Sequence, residues 1–311
     1  MLGNSNEIAA GASPNQRGYQ FHLANGQGWY LTATEDLWPW TQQLAAIMQL
    51  KTSNPNGYPK LSFVPKQSDE NKGEEPLSRL ETSIKEQLAG LHWKVRDIGD
   101  ARFWSRLDGS EVICEMATGD ERLDILMMRC SLYPIYQTAH DAGGLPFHAG
   151  LIERDGIGIL LAAPAGTGKS TCCRRLPSPW RARCDDETLI VRDEKKRYLA
   201  HPFPTWSDHL PERSQRTWNV EAYVPLSAIF FLEQADLDEV VPIGQGEAAM
   251  HIVGSVGHVH RRTLCYLDRE EAKSLRIKSF KNACEVAKSI PAFKLRVSLK
   301  GRFWEKIEEA L

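Results

Sequence analysis

The sequence predicts an α/β protein of two units: a smaller α+β unit over residues 19–120, behind a flexible tail of residues 1–18, and a larger α/β unit over residues 121–311. Three observations predict it. A chain of 311 residues is long enough for one large core or two modest ones, and two units are expected. In its second half, strand-like apolar runs alternate with runs at helical spacing. Between a strand-like run and a short helical one stands Ala163-Pro164-Ala165-Gly166-Thr167-Gly168-Lys169-Ser170, which keeps the phosphate-loop pattern G-x-x-x-x-G-K-[ST] at every fixed place but the first, where Ala163 stands for Gly.

In chain order, FHLANGQGWYL reads as a strand pair turning at Asn25-Gly26. Leu37, Trp40, Leu44, Ile47 and Leu50 share one helical face, with Thr34 or Asp36 as its cap. KTSNPNGYPK and KQSDENKGEEP, rich in turn formers and charge, read as linkers or surface loops. Leu80, Ile84, Leu88 and Leu91 form a second helical stripe, before the strands WKVRDI and EVICEM. A helical stretch follows over 123–144, with a break at Pro134. FHAGLIERDGIGILLAA then makes two strands around a turn at Asp155-Gly156, and the short helix that starts near Gly168 stops by Leu176 because PSPW follows. TLIVRD and KRYLAHPF form a hairpin, PLSAIFFLEQ a buried strand, and DREEAKSLRIKSFKNACEVAKSI a helix with Leu275, Ala283, Val286 and Ile290 on one face. The strand FKLRVSL and a short helix complete the order.

Composition narrows the function classes. Hydrophobic residues at 42%, charged residues at 25% and a net charge of -2 describe a globular chain with no overall attraction to nucleic acid or anionic membrane. An odd seven cysteines, with no CxxC pair, read as reduced and cytoplasmic. The polar start excludes a signal peptide, and no apolar run is long enough for membrane insertion.

The chemistry concentrates around the loop. Backbone N–H groups of Pro164 to Thr171, proline excepted, can wrap an anion at the start of a helix; Lys169 can reach β and γ phosphates and Ser170 a Mg²⁺ ion. Cys172 and Cys173 read as packing residues. Asp185-Asp186 reads either as an acidic surface turn or, beside a phosphate loop, as a metal ligand and a general base, with mutual repulsion raising one pKa. His148 is either structural or folded back onto the phosphates. His258 and His260, sharing one face if on a strand, and Arg261-Arg262 read as a phosphate or substrate contact or a basic surface, not as zinc ligands. Arg174, Arg175, Arg181, Arg183, Arg213 and Arg216 are candidates for neutralising transferred charge, and DHLPERSQRTWN is either a substrate loop or an ordinary exposed one.

The order PFHAGLIERDGIGILLAAPAGTGKST followed by RARCDDETLIV resembles the HPr kinase/phosphorylase catalytic domain, in which a histidine precedes two strands, the P-loop and a paired-aspartate segment. The resemblance implies the nucleotide-binding fold of the HPr kinase and phosphoenolpyruvate carboxykinase type over 121–311. It also implies ATP and Mg²⁺, with Lys169 on phosphate, Ser170 and Asp186 on the metal, and Asp185 as base with His148 nearby. Thr171 departs from the Glu that usually follows the P-loop Ser there, and no phosphorolysis signature is found. The sequence is also similar to HPr-kinase-like proteins encoded with radical SAM enzymes in bacterial peptide-modification cassettes, the SynChlorMet cassette protein ScmC family among them. That likeness implies a precursor peptide or small protein as acceptor, other cassette enzymes as partners, and peptide recognition as a role for 19–120. The resulting expectation is a kinase that phosphorylates a serine, less readily a threonine, of a peptide. The alternatives are a noncatalytic nucleotide-dependent peptide-binding module and a small-molecule kinase.

Overall fold

The Asn25-Gly26 turn closes the expected hairpin: β1 (Gly18–His22) pairs antiparallel with β2 (Gly28–Ala33), and Gly26 takes a left-handed φ of 83°. The computed structural model describes residues 17–55, 57–66, 93–210 and 214–311. Most of the expected tail, the KQSDENKGEEP segment beyond Lys66, the Leu80–Leu91 stripe and Arg213 lie outside those residues, while Gly18, placed in the tail by sequence, begins β1.

Helix α1 (Trp38–Met48) buries Trp40, Leu44 and Ile47 as their spacing requires. Its N-cap is Leu37, with no side-chain hydrogen bond, so neither Thr34 nor Asp36 caps it; Pro39 in the first turn supplies a preset φ instead. The segment read as a loop at 51–60 contributes β3 (Lys51–Ser53) and the first residue of β4 (Lys60–Pro65), because pairing with β1 and β2 overrides its turn-rich composition. The two expected strands are β5 (Trp93–Ile98) and β7 (Glu111–Met116), with β6 (Ala101–Arg106) between them. These seven strands form one mixed sheet in the order β3-β1-β2-β4-β7-β6-β5.

The helical stretch breaks near Pro134, into α2 (Glu121–Ser131), capped by Asp120 onto the Leu123 N–H, and α3 (Tyr133–Asp141). A second mixed sheet follows. It holds β8 (Leu145–Phe147), β9 (Ala149–Arg154), β10 (Ile157–Ala162), β11 (Arg181–Cys184), β12 (Glu187–Arg192), β13 (Tyr198–Phe203), β14 (Val224–Gln234), β15 (Glu239–Pro242) and β16 (Ala292–Val297). Helix α4 (Lys169–Arg175) follows β10 and ends before the prolines, as expected. Helices α5 (Gln245–Leu264) and α6 (Arg269–Ser289) come before β16, and α7 (Phe303–Ala310) after it.

Strand β14 lies parallel to both β10 and β16, and its side chains alternate between two cores. Phe230 and Leu232 face a layer that contains Cys172, Cys173, Phe303 and Ile307 from α4 and α7. Ile229 and Phe231 face a larger core, which continues without interruption into the first sheet through Phe21, Phe63 and Phe203. Backbone bonds tie the two parts as well: the Trp218 N–H donates to the Ile47 carbonyl at 2.8 Å. The molecule is thus a mixed α/β protein with two mixed sheets and helices.

Candidate functional site

Three chain segments meet at the site, and each is bent for a local reason. Strands β8 and β9 are separated by His148 alone, and β11 and β12 by Asp185-Asp186 alone. Because β8 pairs with β12 while β9 pairs with β11, the two interruptions lie opposite each other where both ribbons turn. Thr188 Oγ1 donates to the Ala149 carbonyl at 3.1 Å and pins this crossing. Residue 150 has to be glycine or the crossing opens, since a Cβ there would stand 2.9 Å from Cys173 Sγ and 3.4 Å from the Asp185 Cα. The third segment is the 163–168 loop, where Gly166 and Gly168 take φ of 80° and 113° and turn the chain into α4.

Lys169, 6% exposed, folds back over this loop. Its Nζ donates to His148 Nε2 and to the Ala163 carbonyl, both at 2.8 Å, and to the Pro164 carbonyl at 3.3 Å. With Nε2 accepting, the imidazole proton sits on Nδ1, which faces Asp186 Oδ1 at 3.3 Å. Burial lowers the Lys169 pKa, with Asp186 as the strongest opposing charge. The expected upward shift from repulsion within the Asp pair is not found at Asp186. Burial pushes that carboxyl up, but the bond from His148 and the charges of Lys169 and Arg129 outweigh it and hold the carboxyl low. Asp186 is therefore anionic at neutral pH.

Asp185 faces elsewhere. Its Oδ1 accepts from Thr205 Oγ1 at 2.7 Å and lies 3.2 Å from Arg216 Nη2, whose other nitrogen reaches Asp208 at 2.8 Å. Of the five candidate arginines among the described residues, Arg216 is the one that touches the aspartate pair. Arg175 instead donates to the Ser298 and Gly301 carbonyls and covers Phe303, Arg183 pairs with Glu153, and Arg174 and Arg181 are exposed. In the described part of the segment from Asp208 to Asn219, Gln215, Arg216, Thr217 and Asn219 are exposed, while Arg216 reaches Asp185 and Trp218 is buried.

His258 and His260 share no face. They lie on helix α5, where residues two apart point about 200° from each other. His258 stacks on His148 with centroids 3.9 Å apart, while His260 meets His140 on the far side. Cys172 and Cys173 are packing residues: burial raises both thiols, Cys172 to about 11. Ser170 and Thr171 are half-buried on the first turn of α4. Sequence reading missed Glu187 and Arg129. Glu187, 2% exposed, accepts from Tyr136 and, at 3.2 Å, from Arg129, and so braces the aspartate turn from behind. Its position next to Asp185-Asp186 was the available signal. Among the described residues, no group of three or more His, Cys, Asp or Glu is placed to hold a metal ion, and no helix is long and apolar enough to cross a membrane.

The assembled site brings a buried ammonium, a partly open carboxylate and two stacked imidazoles to the mouth of a glycine loop. A Cβ at Gly166 or Gly168 would meet nothing within 4 Å, so the space before the loop backbone is open. Such a site can bind an anion and move a proton. A family model described as SynChlorMet cassette protein ScmC matches residues 112–311, from within β7 through α7. No curated protein matches the chain.

Proposed function

Because the chain belongs to the ScmC family of SynChlorMet cassette proteins, we propose that it is a cassette kinase that transfers the γ-phosphoryl group of ATP, with Mg²⁺, to a serine of a peptide or small protein. The observation that carries this reading is the convergence on His148, whose two ring nitrogens meet Lys169 and Asp186 from different segments. Lys169, His148 and Asp186 are three of the residues to which the HPr-kinase-like resemblance gives roles, alongside Ser170 and Asp185, and a P-loop kinase fold is part of the same proposal. The open space before Gly166 and Gly168 supports phosphate as the ligand, and the low Asp186 pKa supports a cation beside it. Mg²⁺ bound with a nucleotide needs only one or two protein oxygens, and Asp186 with Ser170 fits that requirement. The ion would neutralise charge on the phosphate oxygens.

The chain's own residues carry the rest. Lys169 Nζ exchanges the Ala163 and Pro164 carbonyls for phosphate oxygens, while His148 keeps it aimed at the loop. Asp185 takes the proton of the attacking serine hydroxyl, and Arg216, already beside Asp185, neutralises charge on the moving phosphoryl group. Positioning and electrostatics supply most of the rate.

The test is mass spectrometry of Mg²⁺/ATP reactions with the precursor peptide encoded nearest this chain. A phosphate mass gain on Ser or Thr is expected, and Lys169→Ala should reduce its rate by about 10²-fold or more. Nucleotide binding without any phosphorylated peptide would point instead to the binding module, and a phosphorylated metabolite to the small-molecule kinase.

A further inference from the structure

A cavity of about 230 Å³ lies behind the site, between β5, α3, α5 and α6. It is smaller than the ~300–1,000 Å³ of sites for drug-sized ligands, so it suits one or two amino-acid residues or a comparably small acid. Its apolar wall includes Tyr133, Val259, Leu267 and Leu275.

Charge in the lining is unbalanced. Four cations, Lys94, Arg96, Arg129 and Lys278, line it with two carboxylates, Asp141 and Glu271. Lys278 is held by Asp141, and Arg129 by Glu187, which stands outside the lining. Lys94, at 2.9 Å, and Arg96 must then share Glu271, so one positive charge lacks a carboxylate of its own. Of the two cations that share Glu271, Arg96 is 14% exposed and Lys94 54%, so water screens the inner charge less than the outer one. At the inner wall His260 is 7% exposed, and its Nε2 has no hydrogen-bond partner in a setting where an unmade bond is costly.

From these observations we infer that the cavity is a binding site for a monocarboxylate with an apolar body, its carboxylate on Arg96 and Lys94 and its body on the Tyr133 and Leu275 wall. One carboxylate balances the excess cation. The site is separate from the centre around Lys169 but joined to it twice. Arg129 lines the cavity and also holds Glu187 next to Asp186, and α5 carries His260 into the cavity wall and His258 onto His148. The inference requires nothing of the phosphoryl-transfer reading, since it is tested by binding alone.

The same chemistry is offered by a free aryl or alkyl acid and by a glutamate beside an aromatic residue in a peptide. Calorimetric titration of the full chain with 3-phenylpropionate, and with the N-acetylated, C-amidated tripeptide Phe-Glu-Gly, separates the two. At least one of them is expected to bind at millimolar concentration or better, about tenfold or more tighter than its amide or glutamine counterpart. Arg96→Gln should remove that preference. Because Arg96 also braces Tyr133 and Glu271, the half-exposed Lys94→Met serves as the second variant, with a smaller loss and an unchanged thermal midpoint. Preference for the tripeptide identifies a peptide segment as the ligand, and preference for 3-phenylpropionate a small molecule. Equal binding of acids and amides, no binding of either, or undiminished binding by both variants would overturn the inference.

Discussion

At the scale of single residues, protonation state decides how the two sheets are held. His201 is fully buried; its Nδ1 donates to the Val220 carbonyl at 2.7 Å and its Nε2 accepts from the Ala24 N–H at 3.1 Å. Burial pushes its pKa down to about 4, against an ordinary value of about 6.5. The folded ring is neutral, so an unfolded chain binds the extra proton between those values. Stability is therefore fully present above pH 6.5 and is lost as pH falls toward 4, by at most about 1.4 kcal/mol per pH unit for such a group. Urea unfolding at pH 7 and pH 5 should show a lower midpoint at pH 5, and His201→Gln should lessen that difference without removing it, because burial also pushes His140 and His260 down to about 4. The aspartates make a contrasting pair. Asp186→Asn should cost proposed phosphoryl transfer about 10²-fold by weakening the charge that supports Lys169 and Mg²⁺. An unchanged transfer rate at saturating Mg²⁺ would remove Asp186 from the proposed centre.

At the scale of elements, local spacing and tertiary packing competed, and the outcome differed by segment. The β9–β10 hairpin, the loop and α4 follow from contiguous residues: a left-handed Asp155-Gly156 turn, two glycines with positive φ, and prolines past Leu176. Helix α5 escaped sequence reading because Gly246, Gly254 and Gly257 each lower helix propensity by about 1 kcal/mol. Packing of Ala248, Ile252, Val256 and Val259 along one face outweighs that cost. The crossing at His148 gives the sharpest prediction at this scale. Gly150→Ala would drive a methyl between β9, α4 and the aspartate turn, so proposed transfer should fall at least tenfold while the far-UV circular dichroism spectrum is kept. A fully active variant would show that the aspartate turn tolerates displacement.

At the scale of the whole molecule, the two sheets share one core. Phe203, from β13, meets Phe21 edge-on at 6.2 Å and Tyr136 at 5.4 Å, and so joins both sheets to α3. Phe203→Ala should cost about 3–5 kcal/mol, and it should move one unfolding transition, monitored by tryptophan fluorescence, instead of splitting off a separate event for the first sheet. Two resolved transitions would mean that the shared core does not couple the sheets. The same core places β5 against α6, and so forms the cavity from residues that are far apart in sequence.

By itself, the sequence determined the order of the elements it could read and the glycine loop with Lys169, because turn conformations, helix stops and period-two burial depend on neighbours a few residues apart. It could name His148, Asp185 and Asp186 but not how they meet. The opposition of two strand breaks decided that Asp186 faces His148 while Asp185 faces Thr205 and Arg216. Helical geometry then divided His258 from His260, and burial behind the turn recruited Glu187 and Arg129. Those contacts span 110 residues between His148 and His258 and 120 between His140 and His260. No local pattern encodes them, because their free energy comes from strand pairing and packing that exist only once the sheets have formed.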